Sequence, residues 1–171
     1  EVAIGAAVHH PNVVHTLGGG EQQGVHYLVM EFVEGQTLAD LRREVGCVPE
    51  ELCRHVAREI LRGLVAIHAA GIVHRDVKPE NVVVTPQNEV KLMDLGVARA
   101  IADAVRLSQS GAFVGSLRHA SPEQLTEGGR DVDGRADLHG LGALLYELLA
   151  GVSPFEGCDV AEVVRRVLHD E

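Results

Sequence analysis

The sequence predicts an α+β fold in which strands come early in the chain and helices come late. Residues 25–33 are rich in side chains that favour strands, and residues 13–17 form a second candidate strand before them. From Pro49 onward, apolar residues recur every three or four positions, which indicates one buried face of a long helix ending at Gly71. Residues 136–149 are strongly apolar and predict a central helix.

Turn and capping signals place the connections in the first third of the chain. Glycines 18–20 and Gly24 are expected to connect the first two strands; they match neither a GxGxxG nor a GxxxxGK[ST] phosphate loop. Thr37 followed by Asp40 resembles a capping box, which predicts a short helix reaching to about Glu44.

Shorter elements are expected in other parts of the chain. Two small strands are predicted at residues 81–84 and 90–93, joined by a turn at residues 86–88. Residues 1–8 have the pattern of a helix end, and residues 94–129 show little periodicity.

Composition and charge exclude several classes of function. The net charge of −10 argues against nucleic acid or an anionic membrane as the main partner. None of the ten histidines forms an HExxH-type pair, and the three cysteines contain no CxxC motif, so we expect ordinary histidines and reduced thiols in the cytoplasm. No apolar run approaches the ~18 residues of a membrane helix, although a longer parent protein could carry one elsewhere.

Four polar side chains stand at spacings that suit phosphoryl transfer. A carboxylate, a cation and a carboxamide (Asp76, Lys78 and Asn81) lie within six residues, and Asp94 follows 13 residues after Asn81. If the two small strands pair, Asn81 and Asp94 return to the same end, where their oxygens could bind the Mg²⁺ of a nucleotide. A lone Asp or Asn in a loop is usually a turn residue, but four such groups at these spacings are hard to explain in that way.

The stretch from Ile72 to Asn81 resembles the HRDxKxxN catalytic loop of eukaryotic-type Ser/Thr protein kinases. Other parts of the chain resemble the bacterial members of that family. This resemblance implies a bilobal α+β kinase fold, here with a truncated small β lobe and a mostly helical large lobe. It also implies ATP and Mg²⁺ as cofactors, and Ser/Thr hydroxyls of proteins as acceptors.

The resemblance assigns roles to the four polar residues. Asp76 would orient the substrate hydroxyl and accept its proton, and Lys78 would neutralise the transferring γ-phosphate. Asn81 and Asp94 would hold the metal ions. The lysine at position 78 favours Ser/Thr over Tyr as the acceptor, and it is one of only two lysines in the chain.

A second resemblance is to the kinase hinge, at residues 28–35. Met30 would be the gatekeeper, and the carbonyl of Glu31 and the amide of Val33 would meet adenine. Val83, two residues past Asn81, would lie under the purine ring.

Further positions follow from the same resemblance. Residues 94–96 stand where kinases have DFG, and residues 121–123 resemble the end of an activation segment, with His119 at a position where Tyr is usual. Ser108 and Ser110 of that segment would be phosphosites, with Arg75 and Arg99 as phosphate partners. The structural positions implied are Glu1, His74, Glu123 and Asp137, and the regulatory ones are Arg75, Arg99, Ser108, Ser110 and Ser116.

The resemblance covers the chain as one partial kinase domain. Residues 1–33 would be the remnant of the small lobe and the start of the hinge, and residues 34–171 the large lobe without its last helices. Since no glycine-rich loop or β3 lysine precedes Glu1, we expect the 171-residue chain alone to be weakly active or inactive.

Two other classes of function stay open at this point. A non-catalytic pseudokinase could act as a binding module, although a scaffold has no chemical need for the four polar residues. A small-molecule phosphotransferase of kinase-like fold would lack the segment ending in residues 115–123 that could hold a peptide.

Overall fold

The computed structural model describes residues 8–95, 117–126, 132–156 and 159–169. The strands in this part of the chain are β1 (Thr16–Gln22), β2 (Val25–Met30), β3 (Gln36–Thr37), β4 (Val82–Val84) and β5 (Val90–Leu92). The helices are α1 (Leu38–Val45), α2 (Glu50–Ala69), α3 (Pro122–Leu125), α4 (Gly134–Ala150) and α5 (Val160–His169). Small sheets followed by a mostly helical portion confirm the predicted α+β class.

The first hairpin differs from the prediction in where its turn lies. Glycines 18–20, predicted to form the connection, lie inside β1 and pair with residues of β2. The turn is formed by Gln23 and Gly24, whose φ angles of 55° and 78° suit a two-residue hairpin. A side chain at Gly20 would lie within 2.8 Å of the Tyr27 hydroxyl, so this glycine makes room for a cross-strand ring.

The second sheet confirms the two predicted small strands and adds a third. Its order is β3-β4-β5, all antiparallel, with Val82 opposite Leu92 and Val84 opposite Val90. β3 has only two residues, which is too short to show any periodicity in sequence. Val13, predicted to start the first strand, instead forms an isolated bridge to Leu92.

The two predicted helices that follow the hinge region are confirmed. The Thr37 hydroxyl accepts a hydrogen bond from the Asp40 amide at 3.1 Å and caps α1. α2 buries the predicted stripe and stops two residues before Gly71, which has a φ of 73°. The fully buried members of the stripe include Val56, Ile60, Leu64 and Ile67.

The main core lies between α2, α4 and the β4–β5 hairpin. Leu144 and Leu148 of α4 are fully buried there, which confirms the prediction of a central helix. The Asn12 side chain ties the chain before β1 to this core, since it donates to the Val90 carbonyl at 2.8 Å and to Glu59 Oε2 at 3.0 Å. A smaller cluster around Leu117 joins α5 to the segment that carries α3.

The described residues contain no helix that is both long and apolar enough to cross a membrane. The predicted helix end at residues 1–8 and the irregular segment from residue 94 fall largely outside the described residues, so both stay predictions.

Candidate active site

The loop between α2 and β4 brings three of the predicted residues together. Asp76 Oδ2 accepts hydrogen bonds from Lys78 Nζ and from Asn81 Nδ2, each at 2.7 Å. The same Asn81 nitrogen also donates to the Asp76 carbonyl at 2.9 Å. A single 3₁₀ turn over Pro79–Asn81 folds the chain back and makes these contacts possible.

The Asp76 carboxylate is asymmetric in its contacts. Its side chain is 10% exposed and that of Lys78 is 16% exposed, so their ion pair is weakly screened by solvent. Among the described residues both side-chain donors use Oδ2, so Oδ1 is the oxygen that could accept a hydrogen bond or a proton from a bound hydroxyl.

Asn81 and Asp94 lie at the same end of the β4–β5 hairpin, as predicted from the strand pairing. The Met93 amide donates to the Asn81 carbonyl at 2.9 Å, and Asp94 lies two residues beyond Leu92, the last residue of β5. Asp94 has a φ of 64° and Arg75 a φ of 65°. Left-handed backbone at residues other than glycine is strained and is common at active sites.

The donor chemistry at this end of the hairpin fits a magnesium–nucleotide complex. Asn81 uses its amide nitrogen for Asp76, and its Oδ1, a hard oxygen, has no hydrogen-bond donor among the described residues. The carboxylate of Asp94 is a second hard oxygen ligand at the same end of the hairpin. The described residues contain no group of three or more His, Cys, Asp or Glu side chains that could hold a metal alone. Mg²⁺ at nucleotide sites usually has one or two protein ligands and takes further oxygens from the phosphates, a role that Asn81 and Asp94 would suit.

His74 connects the loop that carries Asp76 to the strand that leads to Asp94. Its ring is fully buried, with Nε2 3.0 Å from the Met93 carbonyl and Nδ1 3.3 Å from the Asp76 amide. Both contacts are satisfied by the neutral ring with its proton on Nε2. Burial lowers the pKa of His74, which favours this neutral form.

Asp137 of α4 is hydrogen-bonded to the backbone of the loop that carries Asp76. Its carboxylate is fully buried and accepts from the His74 amide at 2.9 Å and from the Arg75 amide at 2.6 Å. α4 can approach the loop this closely because Gly140 has no side chain; a Cβ there would lie 2.9 Å from the Val77 carbonyl. The loop backbone is thus fixed by a charged acceptor on a rigid helix.

The segment around α3 is tied to the same loop. Gln124 Nε2 donates to the Arg75 carbonyl at 2.7 Å, and Gln124 also forms a capping box with Ser121. Glu123 lies half-buried in α3, and its carboxylate interacts electrostatically with Arg135 and His139. This segment therefore lies against the loop that carries Asp76.

The predicted hinge residues follow directly after β2. Met30 is the last residue of this strand and pairs with Thr16. Glu31 follows it, and its Oε1 accepts from Lys91 Nζ at 2.8 Å and from the His15 amide at 3.1 Å. The hydrogen bond from Lys91 lowers the pKa of Glu31.

The strand pairing connects this hinge segment with β4. Lys91 is the cross-strand partner of Val83, so their side chains share one face of the sheet. Val83 is buried and Val33 is half-buried. The adenine-binding roles of Met30, Glu31, Val33 and Val83 remain predictions.

Sequence reasoning missed several charged contacts that join distant parts of the chain. Lys91 was noticeable only as one of two lysines, and its pairing with Glu31 spans 60 residues. His68 Nε2 lies 2.7 Å from Asp137 Oδ2, and no local pattern indicates this.

A further buried pair lies beneath the segment that carries α3. His119 Nε2 lies 3.0 Å from Glu147 Oε2, and Arg42 Nε lies 3.1 Å from Glu147 Oε1. Burial raises the pKa of Glu147, but the hydrogen bond from His119 and the nearby cations outweigh it and give a lowered pKa. Glu147 therefore stays charged between α1 and α3.

Five predicted residues lie outside the described part of the structure. They are Glu1, Arg99, Ser108, Ser110 and Ser116. Their proposed roles as a structural glutamate, a phosphate partner and regulatory serines stay predictions, as does the regulatory role of Arg75.

Comparison with known proteins places this geometry in a family. The protein kinase domain family model matches residues 1–171. A protein of Clostridium perfringens named as a probable serine/threonine-protein kinase is 41% identical over 152 residues, covering 89% of this chain and 22% of that protein.

Two mycobacterial proteins give a similar result. The serine/threonine-protein kinase PknB of Mycobacterium leprae is 40% identical over 161 residues, which cover 92% of this chain and 26% of the length of PknB. PknL of Mycobacterium tuberculosis, also a serine/threonine-protein kinase, is 45% identical over 131 residues, covering 77% of this chain and 32% of its own. This chain spans less than a third of the length of each of these three relatives. The family match and these identities show that the chain belongs to the protein kinase domain family.

Proposed function

We propose that the protein transfers the γ-phosphate of ATP to Ser and Thr hydroxyls of proteins. The observation that carries this proposal is the Asp76 carboxylate, whose Oδ2 is held by Lys78 and Asn81 and whose Oδ1 accepts no hydrogen bond from the residues that the structure describes. The relatives described above are named as serine/threonine-protein kinases, which supports the same reaction class.

Asp76 would act on the acceptor hydroxyl. Its Oδ1 would accept the hydroxyl hydrogen bond and orient the oxygen toward the phosphate, and it would take the proton as the new bond forms. Phosphoryl transfer proceeds through a loose transition state, so positioning matters more than a strong base, and an ordinary carboxylate is adequate.

Lys78 would stabilise negative charge on the transferring group. Its ammonium lies next to the carboxylate of Asp76 and is mostly shielded from solvent, so its interaction with a phosphate oxygen would be stronger than in water. The contact with Asp76 Oδ2 also holds the amine next to the carboxylate whose Oδ1 would accept the hydroxyl.

Asn81 and Asp94 would hold Mg²⁺ through Oδ1 and the carboxylate. When bound, the metal neutralises charge on the phosphates. Asn81 would also keep Asp76 in position, because its amide nitrogen bonds to both the side chain and the backbone of Asp76.

The hinge segment and Val83 would bind the adenine ring. The contacts of the Glu31 carboxylate with Lys91 and His15 support this, since they restrain the backbone at residue 31. We also propose the division into a small-lobe part at residues 1–33 and a large-lobe part at residues 34–171. A cytoplasmic location for this domain agrees with its use of ATP and with free thiols at Cys47 and Cys53.

The test is phosphate transfer from radiolabelled ATP by the full-length protein. We expect Mg²⁺-dependent labelling of protein substrates, with phosphoserine and phosphothreonine after acid hydrolysis. The Lys78→Met variant should lose this labelling, whereas Arg62→Met, which removes an exposed cation of α2, should keep it. Absence of transfer by the unmodified protein, or labelling of tyrosine alone, would contradict the proposal.

A further inference from the structure

His119 is a buried titratable side chain that the proposed chemistry does not use. Its side chain is 5% exposed, and its Nε2 lies 3.0 Å from Oε2 of Glu147, a side chain of α4 that is 10% exposed. Arg42 of α1 lies against the other oxygen, with its Nε 3.1 Å from Oε1. The carboxylate of Glu147 therefore joins the segment that carries α3 to both α4 and α1.

We propose that His119 is a positioning residue for the acceptor protein, and that a proton on its imidazole tightens the hold of α4 on the segment of residues 115–123. The proposal rests on the proposed function, because this segment is the one expected to hold the peptide of a protein substrate. Tyr, the usual residue at this position in kinases, does not change its charge near neutral pH, whereas an imidazole does so between about pH 5 and 8.

The contact with Glu147 gives the direction of the effect. The neutral ring offers Nε2–H to the carboxylate as a dipole, whereas the imidazolium brings a full positive charge to the same oxygen. Burial raises the pKa of Glu147, but the contacts with His119 and Arg42 outweigh it and keep this pKa below its usual value. The carboxylate is thus ionised throughout the range in which an imidazole titrates, and its burial limits screening by solvent.

The two nearest groups that could oppose a charge on the ring have less effect. Arg42 contacts the other carboxylate oxygen, donates from Nη1 to the Gly151 carbonyl at 3.0 Å and is 32% exposed, so solvent screens it more than it screens the buried pair. Burial lowers the pKa of His139, which favours its neutral form. Attraction to Glu147 therefore outweighs repulsion from these two groups.

Other charged groups lie on the elements packed around His119, and most of them act on one another. Arg118 acts on the Glu147 carboxylate, and Glu123 of α3 acts on His139. The remaining groups form ion pairs within their own elements: Lys78 with Asp76 in the loop, and Glu162 with Arg165 and Arg166 in α5.

The backbone at His119 lies close to the loop that carries Asp76. A Cβ on Gly140 of α4 would lie 2.9 Å from the Val77 carbonyl and 3.3 Å from the His119 carbonyl, so the same point of α4 contacts both segments. A looser contact between His119 and Glu147 would shift the acceptor segment relative to Asp76. We therefore expect KM for the acceptor protein to change, with KM for ATP little affected.

The experiment measures phosphorylation of myelin basic protein by the full-length protein at about pH 6 and about pH 8. The variants are His119→Tyr, which keeps a donor that does not titrate in this range, and His119→Phe, which removes the donor. His139→Phe is the matched control, because it removes a second partly buried histidine that has no ion pair with Glu147 among the described residues.

We expect KM for the acceptor to be about three- to tenfold lower at the acidic pH in the unmodified protein and in His139→Phe, since charge-assisted hydrogen bonds are roughly twice as strong as neutral ones. His119→Tyr should have nearly the same KM at both pH values, and His119→Phe a raised KM at both. An equal pH dependence in His119→Tyr and the unmodified protein would overturn the proposal, as would a KM that rises at the acidic pH.

Amide hydrogen exchange provides a readout that does not need activity. The Ala120 amide donates to the Leu117 carbonyl at 3.3 Å, inside the segment in question. After correction for the intrinsic effect of pH, its protection relative to the amides in the middle of α4 should be higher at about pH 6 than at about pH 8, and His119→Tyr should abolish this difference. Equal protection at both pH values in the unmodified protein would overturn the proposal. If that protein transfers no phosphate, the proposed function fails, and the exchange result still decides the role of His119.

Discussion

The Asn81 carbonyl accepts a hydrogen bond from the Met93 amide at 2.9 Å, and this single contact fixes how the two proposed metal ligands are related. Asn81 precedes β4 and Asp94 lies two residues after β5, so the hairpin delivers both to one end. Although 13 residues separate Asn81 from Asp94 in sequence, the two short strands and the turn between them bring both residues to the same end of the hairpin.

Substitution of either proposed metal ligand should weaken magnesium-dependent nucleotide binding. Asn81→Ala and Asp94→Ala each remove a hard oxygen, and loss of groups that only support a metal ligand already costs about 10–100-fold in affinity. We expect at least about a tenfold loss in each variant, measured by calorimetric titration with ATP and Mg²⁺. Gln87→Ala, in the exposed turn of the same hairpin, is the control. Unchanged affinity and metal dependence in both variants would leave these residues as turn formers.

Asp137→Asn should destabilise the fold far more than a surface change at the same helix end. The amide keeps only one acceptor oxygen, so its NH2 would face the backbone amide of either His74 or Arg75 and leave that buried donor without an acceptor. We expect a loss of about 2–4 kcal/mol in the free energy of unfolding, measured with urea. Asp133→Asn is the control, because Asn also caps helices well and Asp133 is exposed. Similar losses in the two variants would contradict the bracing role of Asp137.

The stability of the domain should fall as the pH drops below 6.5. The folded state lowers the pKa of His74 from its ordinary value of 6.5, so below that pH the unfolded state binds more protons than the folded state. Stability from this group is therefore fully present above pH 6.5 and is lost as the pH falls toward the folded pKa. Burial lowers the pKa of His139 as well, and its contribution has the same sign.

Unfolding midpoints above and below pH 6.5 test this dependence. Glu31 and Glu147 have pKa values lowered from 4.5, so their contribution begins to be lost only within about one pH unit of 4.5, and the window between about pH 5.5 and 6.5 reports mainly on the histidines. A His74→Phe variant should show a smaller change across that window. A stability that rises as the pH falls from 6.5 would contradict the neutral form of His74.

Lys91→Met should raise KM for ATP with little change in kcat. The variant removes the partner of Glu31 and loosens the hinge backbone, but leaves the catalytic loop intact. A partly buried ion pair contributes about 1 kcal/mol, which corresponds to roughly a fivefold change. Steady-state kinetics at varied ATP concentration measures it, and Glu31→Gln should have a similar effect. A fall in kcat with unchanged KM would place Lys91 in the chemistry instead.

The sequence predicted the site where its residues are close together, and predicted less where they are far apart. Asp76, Lys78 and Asn81 lie within six residues, and Asp94 could be added because the strands around it were recognisable. The contact of His68 with Asp137 spans 69 residues and depends on how α2 and α4 pack, which no local pattern encodes.

The glycines of β1 show the opposite limitation. Glycine is a strong turn signal, yet Gly20 is used to seat the Tyr27 ring across the strand, and the turn falls at Gln23 and Gly24. Tertiary contacts thus decided between two uses of the same residue type.

The measurement that tests the central proposal most directly is phosphate transfer by Asp76→Asn in the full-length protein, together with its affinity for ATP and Mg²⁺. Asparagine keeps the size of the side chain and can still accept from Lys78 and Asn81, but it cannot take a proton from a hydroxyl. We predict that turnover falls to the background of the assay while nucleotide affinity stays close to that of the unmodified protein. Turnover near that of the unmodified protein would contradict the assignment of Asp76 and, with it, the proposed mechanism.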